Sequence, residues 1–378
     1  MRWKRRGTVA ILFTVAALVI LSLLLFPACC CVPRPPANDG IPRPAPVSSV
    51  GYATFDVPKE AIPAKKTATE MRNVLFRIDP TIILHVHELL AEMHDKEIGT
   101  PLNFDDPSSF VIEIAYARVG VDGRSLTDLM NHYVFNYPGA PLRDLTVSMQ
   151  NGQLKQEGII HKVIDIPFSL LADVSVTPGG EIRLHPTSIR ICGLNGKGLM
   201  KAVGISLEKF LDLSKAKGVR AEKNDLLLDP LKLLPPPAME GTLTGIEITP
   251  DEMVQIFGSP EKMAKLSLPV EAKNYMFFKN GTLRMGKLFM VRAEMEVIDT
   301  DPSDPFDFFL AHYNNQLVAG FTRNLPDYGL AVHMRDFADL GKPRRPGEEL
   351  APGEPGDAGS EARGSRLEAR GPRLEPRK

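Results

Sequence analysis

Two of the chain's eight histidines stand two residues apart, in His85-Val86-His87. On a strand such residues share a face, and two imidazoles on one face are part of a transition-metal site. Glu88 and His94 lie nearby, but only the pair has useful spacing. A metal site needs three or four ligands, so the pair is read as a surface pair without metal. Asp299, Asp301, Asp304 and Asp307 offer the oxygen ligands that calcium takes. They lack the central Gly and closing Glu of a helix-flanked calcium loop and are read as a solvated turn. No Gly-x-Ser-x-Gly elbow and no phosphate-cradling Gly loop is present. Asp225, Asp229, Asp251 and Glu252 are read as turn and cap residues. The expectation is a protein that is not an enzyme and needs no cofactor.

The cysteines exclude a disulfide framework. Cys29, Cys30 and Cys31 are contiguous, and Cys192 stands alone. Before them, Arg2, Lys4, Arg5 and Arg6 precede nineteen uncharged residues, Thr8 to Phe26. At about 1.5 Å per residue this run nearly crosses a hydrocarbon layer of roughly 30 Å. The basic cluster stays cytoplasmic, so the remainder is expected on the far side of the membrane. Two readings of residues 1–32 stand side by side. One is an uncleaved signal anchor. The other is a lipoprotein signal, since Phe26-Pro27-Ala28-Cys29 resembles a bacterial lipoprotein cleavage box, with lipidation at Cys29; it departs from that pattern at Pro27.

Residues 33–64, with Pro33, Pro35, Pro36, Pro42, Pro44, Pro46, Pro58 and Pro63, read as a semi-rigid spacer. Residues 342–378 are rich in Pro, Gly, Arg and Glu and read as a disordered tail. Between them, residues 65–341 form the body. A net charge of -1, with no basic run interleaved with aromatics, argues against a nucleic-acid partner.

Alternation dominates the body. Phe110, Ile112, Ile114 and Tyr116 fall on one face of a strand. Leu145, Val147 and Met149 lead into Asn151-Gly152, a two-residue hairpin signal. Ile164, Ile166, Phe168, Val174 and Val176 follow. Pro178-Gly179-Gly180 then turns the chain into Ile182, Leu184, Ile189 and Ile191, completing an antiparallel meander. Phe289, Val291, Ala293, Met295 and Val297 read as one long strand. Phe306, Phe308 and Leu310, then Leu317, Ala319 and Phe321, then Leu330, Val332 and Met334 read as three more. Helices are expected from a Ser125 cap over Leu126, Leu129, Met130, Tyr133 and Val134, and over Leu199 to Leu211. A third is expected after Thr249-Pro250-Asp251-Glu252, closed by Gly258. The class is α+β, with long antiparallel strands curling around a few apolar helices.

Several phrases together carry a resemblance. They are Phe104-Asp105-Asp106-Pro107-Ser108-Ser109-Phe110, Leu129 to Phe135, Ala140-Pro141-Leu142-Arg143-Asp144-Leu145 and Ile166-Pro167-Phe168-Ser169-Leu170. Asn224-Asp225-Leu226, Pro235-Pro236-Pro237, Gly241-Thr242-Leu243 and Asp304-Pro305-Phe306-Asp307-Phe308 join them. Over residues 70–340 the chain resembles uncharacterised bacterial envelope proteins whose middle part is similar to the tubular lipid-binding (TULIP) superfamily, in its phospholipid-binding bacterial branch. The resemblance implies a curved sheet wrapped around a long helix, with phospholipid acyl chains in an apolar groove and the body in the periplasm. The groove-lining candidates are Phe110, Ile112, Ile114, Tyr116, Leu129, Met130, Tyr133, Phe289, Val291 and Met295. The alternative is an envelope scaffold with a dry packed core.

The N-terminal reading has a direct check. The full-length chain should sediment with membranes, and a chain beginning near residue 60 should stay soluble. Replacing Cys29, Cys30 and Cys31 by Ser should abolish acyl labelling if the lipoprotein reading holds and change nothing if the plain anchor does. Full-length chain wholly in the soluble fraction would contradict both.

Overall fold

The computed structural model describes residues 66–97, 99–161, 164–196 and 206–352. The anchor or lipoprotein segment with Cys29, and the spacer at 33–64, lie outside them. Among the described residues no helix is long and apolar enough to cross a membrane.

The chain is mostly β, in a curled half-barrel sheet with few helices. It opens with β1 (Thr67–Arg77), β2 (Ile83–Asp95), β3 (Leu102–Asn103) and β4 (Phe110–Asp122). Helix α1 (Gly123–Leu129) leads to the meander β5 (Leu142–Gln150), β6 (Gln153–His161), β7 (Asp165–Val176) and β8 (Ile182–Ile191). Next come β9 (Leu194–Asn195), α2 (Leu207–Phe210), β10 (Val219–Glu222), β11 (Asp225–Leu228) and α3 (Pro230–Leu233). The chain returns through β12 (Ala238–Glu240), β13 (Leu243–Ile248), β14 (Glu252–Gly258), β15 (Tyr275–Lys279) and β16 (Thr282–Met285). It ends with β17 (Leu288–Val291), β18 (Glu294–Asp299), β19 (Phe306–Phe309), α4 (Tyr313–Ala319), β20 (Phe321–Asn324) and β21 (Leu330–Met334).

The largest sheet runs β13-β14-β4-β2-β1-β15-β18-β21-β20, with β12 beside β4 and β19 beside β1. The second, of seven strands, runs β10-β11-β8-β7-β6-β5, with β9 beside β8. The meander forms because each turn is built for it. Asn151 and Gly152 both take positive φ (52° and 76°), as a tight hairpin of the favoured twist requires. Inward Leu154, Ile182 and Leu184 alternate with outward Lys155, Arg183 and His185.

Alternation misleads where a strand is broken. A bulge between Leu90 and Ala91 of β2 faces Tyr116 and Ile114 of β4. It reverses the pattern, so Ile114 stays inside while Ala117 and Val121 take over the inner face. Residues 289–297 are not one strand. Arg292 takes φ 55°, and β17 and β18 join different sheets. Leu317 and Ala319 lie in α4 rather than a strand. The helix expected after Thr249 is instead a hairpin turn, where Thr249 Oγ1 accepts from the Glu252 N–H at 3.0 Å. Met253, Gln255 and Phe257 then face inward along β14, a period of two that outweighs the capping pattern. The cap of α1 is Asp122, which accepts from the Ser125 N–H at 2.6 Å, rather than Ser125 itself. No long central helix stands among the described residues: α1 continues through a π-helical turn at Met130–Val134, and of the 199–211 stretch only Leu207–Phe210 is described as helix.

Residues 342–352, which composition assigns to the tail, hold contacts with the body. Arg335 grips buried Glu348 through two bonds, at 2.5 and 3.2 Å, and Arg345 reaches Asp301 and Asp304 at 3.1 and 2.9 Å. Residues 342–352 are thereby strapped to the body.

Met295 sits in β18 between Phe278 and Leu330 and is fully buried. Replacing it by Trp should therefore destabilise the fold by about 1–3 kcal/mol through overpacking. Chemical denaturation checks this; an unchanged midpoint would mean that Met295 borders open space.

Candidate functional site

The ten groove candidates do not line one groove. Phe110, Ile112, Ile114 and Met295 belong to the core of the largest sheet, where Phe104 packs on Phe110 (5.7 Å between centroids) and Phe278 (5.4 Å). Tyr116 is half-buried on the outer side, past the bulge. Tyr133 is 38% exposed and donates its hydroxyl to Asp79 at 2.7 Å. Phe289 and Val291 belong to a small separate sheet with β16 and β3, and Val291 is exposed. Leu129 is buried in α1. Of the ten, Met130 alone lines the apolar void beneath the meander.

That void lies where the seven-stranded sheet closes over α1, with a volume of about 50 Å³. Leu126 and Met130 approach from the helical segment, Leu154, Ile182 and Leu184 from the meander, and Met253 from the largest sheet. Of the fifteen lining residues only Gln156 is polar. The meander's inward alternation supplies the lining, and the sequence marked those residues as apolar. What it could not show is that this face, not that of β4 or β18, borders the void.

A second site is polar and lies on the outer face of the largest sheet. Between Val86 and Glu88 the pairing of β2 with β4 slips by one residue, so His87 is the extra residue of a bulge. Bulges re-aim side chains, and here the rings of His85 and His87 come to 3.9 Å between centroids. Glu252, at the start of β14, reaches across β4 to both. Its Oε1 lies 2.6 Å from His87 Nε2 and its Oε2 3.3 Å from His85 Nδ1. Glu252 can do so because Gly120 of β4 lies beneath: a Cβ there would sit 1.9 Å from Oε2. The third group that the sequence reading found missing is thus present. Glu252 is not a helix cap, and the strand pattern Glu252, Val254, Ile256 was the signal that would have put it on an outer face. Burial, then the neighbouring His87, holds the His85 imidazole below its usual range, while Glu252 opposes the shift.

The acidic cluster is no solvated turn. Asp299, Asp301 and Asp307 are buried. Arg77 chelates Asp307, and Arg345 pairs with Asp301, Asp304 and Asp339. Burial and the facing Asp336 push the Asp299 carboxyl up to about 8; burial pushes Asp336 up to about 7. Farther along the sheet, buried Glu296 accepts from the Val270 N–H at 2.9 Å, and burial pushes it up to about 7.

No protein-family model, curated protein or solved structure matches the chain.

The raised carboxyls set a pH dependence. Above the ordinary carboxylate range the unfolded chain has lost protons that folded Glu296, Asp299 and Asp336 still hold. Stability from these groups is therefore complete in acid and lost as pH rises through about 7 to 8. Glu296→Gln should flatten the fall in melting temperature between pH 5 and pH 8 and leave the variant at least as stable as the parent at pH 8. A melting profile parallel to the parent's would refute the assignment of Glu296.

Proposed function

We propose that the body is a non-catalytic binding module of the bacterial envelope, tethered to a membrane by its N-terminal segment. Its ligand is the acyl chain of a phospholipid or a similar molecule, held between the seven-stranded sheet and α1. The observation that supports this reading is the void itself, apolar on every side except at Gln156. Apolar voids stay dry and take up apolar matter, because each buried methylene contributes about 0.8 kcal/mol. Met130 and Met253 suit such a lining, since an unbranched thioether adapts to chains of different shape. The resemblance to the tubular lipid-binding superfamily points the same way.

At about 50 Å³ the void has room for roughly one or two water-sized groups. Binding a chain therefore requires the meander to move away from α1. The same small volume favours a second reading, an envelope scaffold whose core is dry and stays packed.

Lipid extraction of the full-length protein, purified from its native membrane, followed by mass spectrometry separates the two. The ligand reading predicts co-purified lipid, uptake from labelled vesicles after delipidation, and loss of both in Leu184→Trp. The scaffold reading predicts no lipid in either assay and a cost of about 1–3 kcal/mol for the same substitution.

A further inference from the structure

The polar site on the outer face does not depend on the lipid reading, and its geometry is built from two departures from regular strand structure and one missing side chain. The bulge at His87 brings one imidazole beside another. Gly120 clears a lane for the Glu252 carboxylate. Asn73 of β1, opposite His87, takes φ 52° in the middle of a long strand and so turns its amide toward His85. All three meet at one spot.

We propose that His85, His87 and Glu252 bind a divalent transition cation of the zinc type, through His85 Nδ1, His87 Nε2 and a Glu252 carboxylate oxygen. Each of the three residues offers a ligand atom within 4.8 Å of those of the other two. Ligands at about 2.0–2.1 Å from a tetrahedral zinc stand roughly 3.3 Å apart. The 3.3 Å between His85 Nδ1 and Glu252 Oε2 already matches. The 2.6 Å between His87 Nε2 and Glu252 Oε1 is a hydrogen bond that a cation would replace. Two imidazoles and one carboxylate suit zinc and its neighbours better than calcium or magnesium, which prefer oxygen throughout. Three protein ligands leave a fourth position for water or an anion.

A relay of amides supports the assignment by fixing which ring nitrogen of His85 is free. The main-chain carbonyls of Asp301 and Asp304 can only accept, and both take from the Asn274 amide nitrogen. The Asn274 oxygen then faces Asn73, whose amide nitrogen donates to it at 2.7 Å. The Asn73 oxygen is left to accept from His85 Nε2 at 3.3 Å. The proton of neutral His85 is thereby held on Nε2, and the lone pair of Nδ1 points at Glu252. Metal-ligating histidines are oriented in this way by an acceptor behind the ring.

The test is zinc titration of untagged, chelator-stripped full-length protein in detergent, by calorimetry and by competition with a chromophoric indicator. One equivalent of zinc should bind and raise the melting temperature, with calcium and magnesium having no effect at the same concentration. Glu252→Gln and the double variant His85→Gln/His87→Gln should each lose at least about 100-fold in affinity. Asn73→Gly, which keeps the left-handed backbone, should lose about 10–100-fold. Gly120→Ala should also lose affinity, with both histidines untouched. Circular dichroism establishes that each variant is folded, and Glu252→Gln carries the test if a glycine or histidine variant is not. The proposal is overturned if the parent binds no zinc, or if its zinc binding survives both the double variant and Glu252→Gln, since His161–Asp165 and His185–Asp225 pairs elsewhere would then account for it.

Discussion

β1 cannot satisfy its hydrogen bonds with one neighbour on its open side. From Ala68 to Arg72 it pairs antiparallel with β15, and from Val74 to Arg77 it pairs parallel with β19. The change of partner falls on Asn73, whose left-handed backbone shifts the strand's inward alternation from Met71 to Val74. Buried main-chain donors and acceptors must be paired, so a strand that changes partners needs a joint at which the ladder is interrupted. Asn serves because its short side chain tolerates positive φ and its amide can bond where the ladder cannot. The amide reaches Asn274, just before β15 begins, and closes the gap between the two halves.

The rest of the polar interior hangs from that joint. Asn274 is fully engaged, donating to Asp299 and to main-chain carbonyls of the loop that leads into β19. That loop carries the buried aspartates, and buried carboxyls are tolerable only when paired or protonated. Arg77 and Arg345 supply the pairing; Asp299 and Asp336 take the other course and hold protons. Arg345 comes from the segment after the last strand. The strap at residues 342–352 is therefore part of the body's electrostatics, although its composition resembles a tail. At its other end the same relay orients His85. The polar cluster on the outer face and the acidic knot are two ends of one hydrogen-bonded chain, while the void beneath the meander is separate from both.

The sequence was legible where a single rule operates over a whole element. The Asn151-Gly152 hairpin, the meander from Leu145 to Ile191 and the strand at Leu330–Met334 follow from period-two alternation and turn chemistry. It was illegible where one residue breaks the rule. Arg292 divides an alternating run between two sheets, and the bulge facing Ile114 and Tyr116 turns Tyr116 outward. Thr249-Pro250-Asp251-Glu252 satisfies a helix-capping pattern, yet the residues after it alternate, and burial of Met253 and Phe257 decides the matter. The candidate sites were harder still. His85 and His87 could be read as half a ligand set, but Glu252 lies 165 residues away and its approach depends on the absence of a side chain at Gly120. Apolar alternation marks which face of a strand is buried. It cannot say whether that face meets another side chain, as Met295 does, or a void, as Leu184 does.

The central claim is that an acyl chain enters between the meander and α1. The most direct measurement is photo-crosslinking of the full-length protein in membranes with a phospholipid that carries a diazirine at the chain terminus, followed by peptide mapping. The account predicts adducts concentrated on Leu126 to Phe135 and on the inward residues of β6, β8 and β11. Adducts confined to the N-terminal segment or the outer surface, with none beneath the meander, would contradict it.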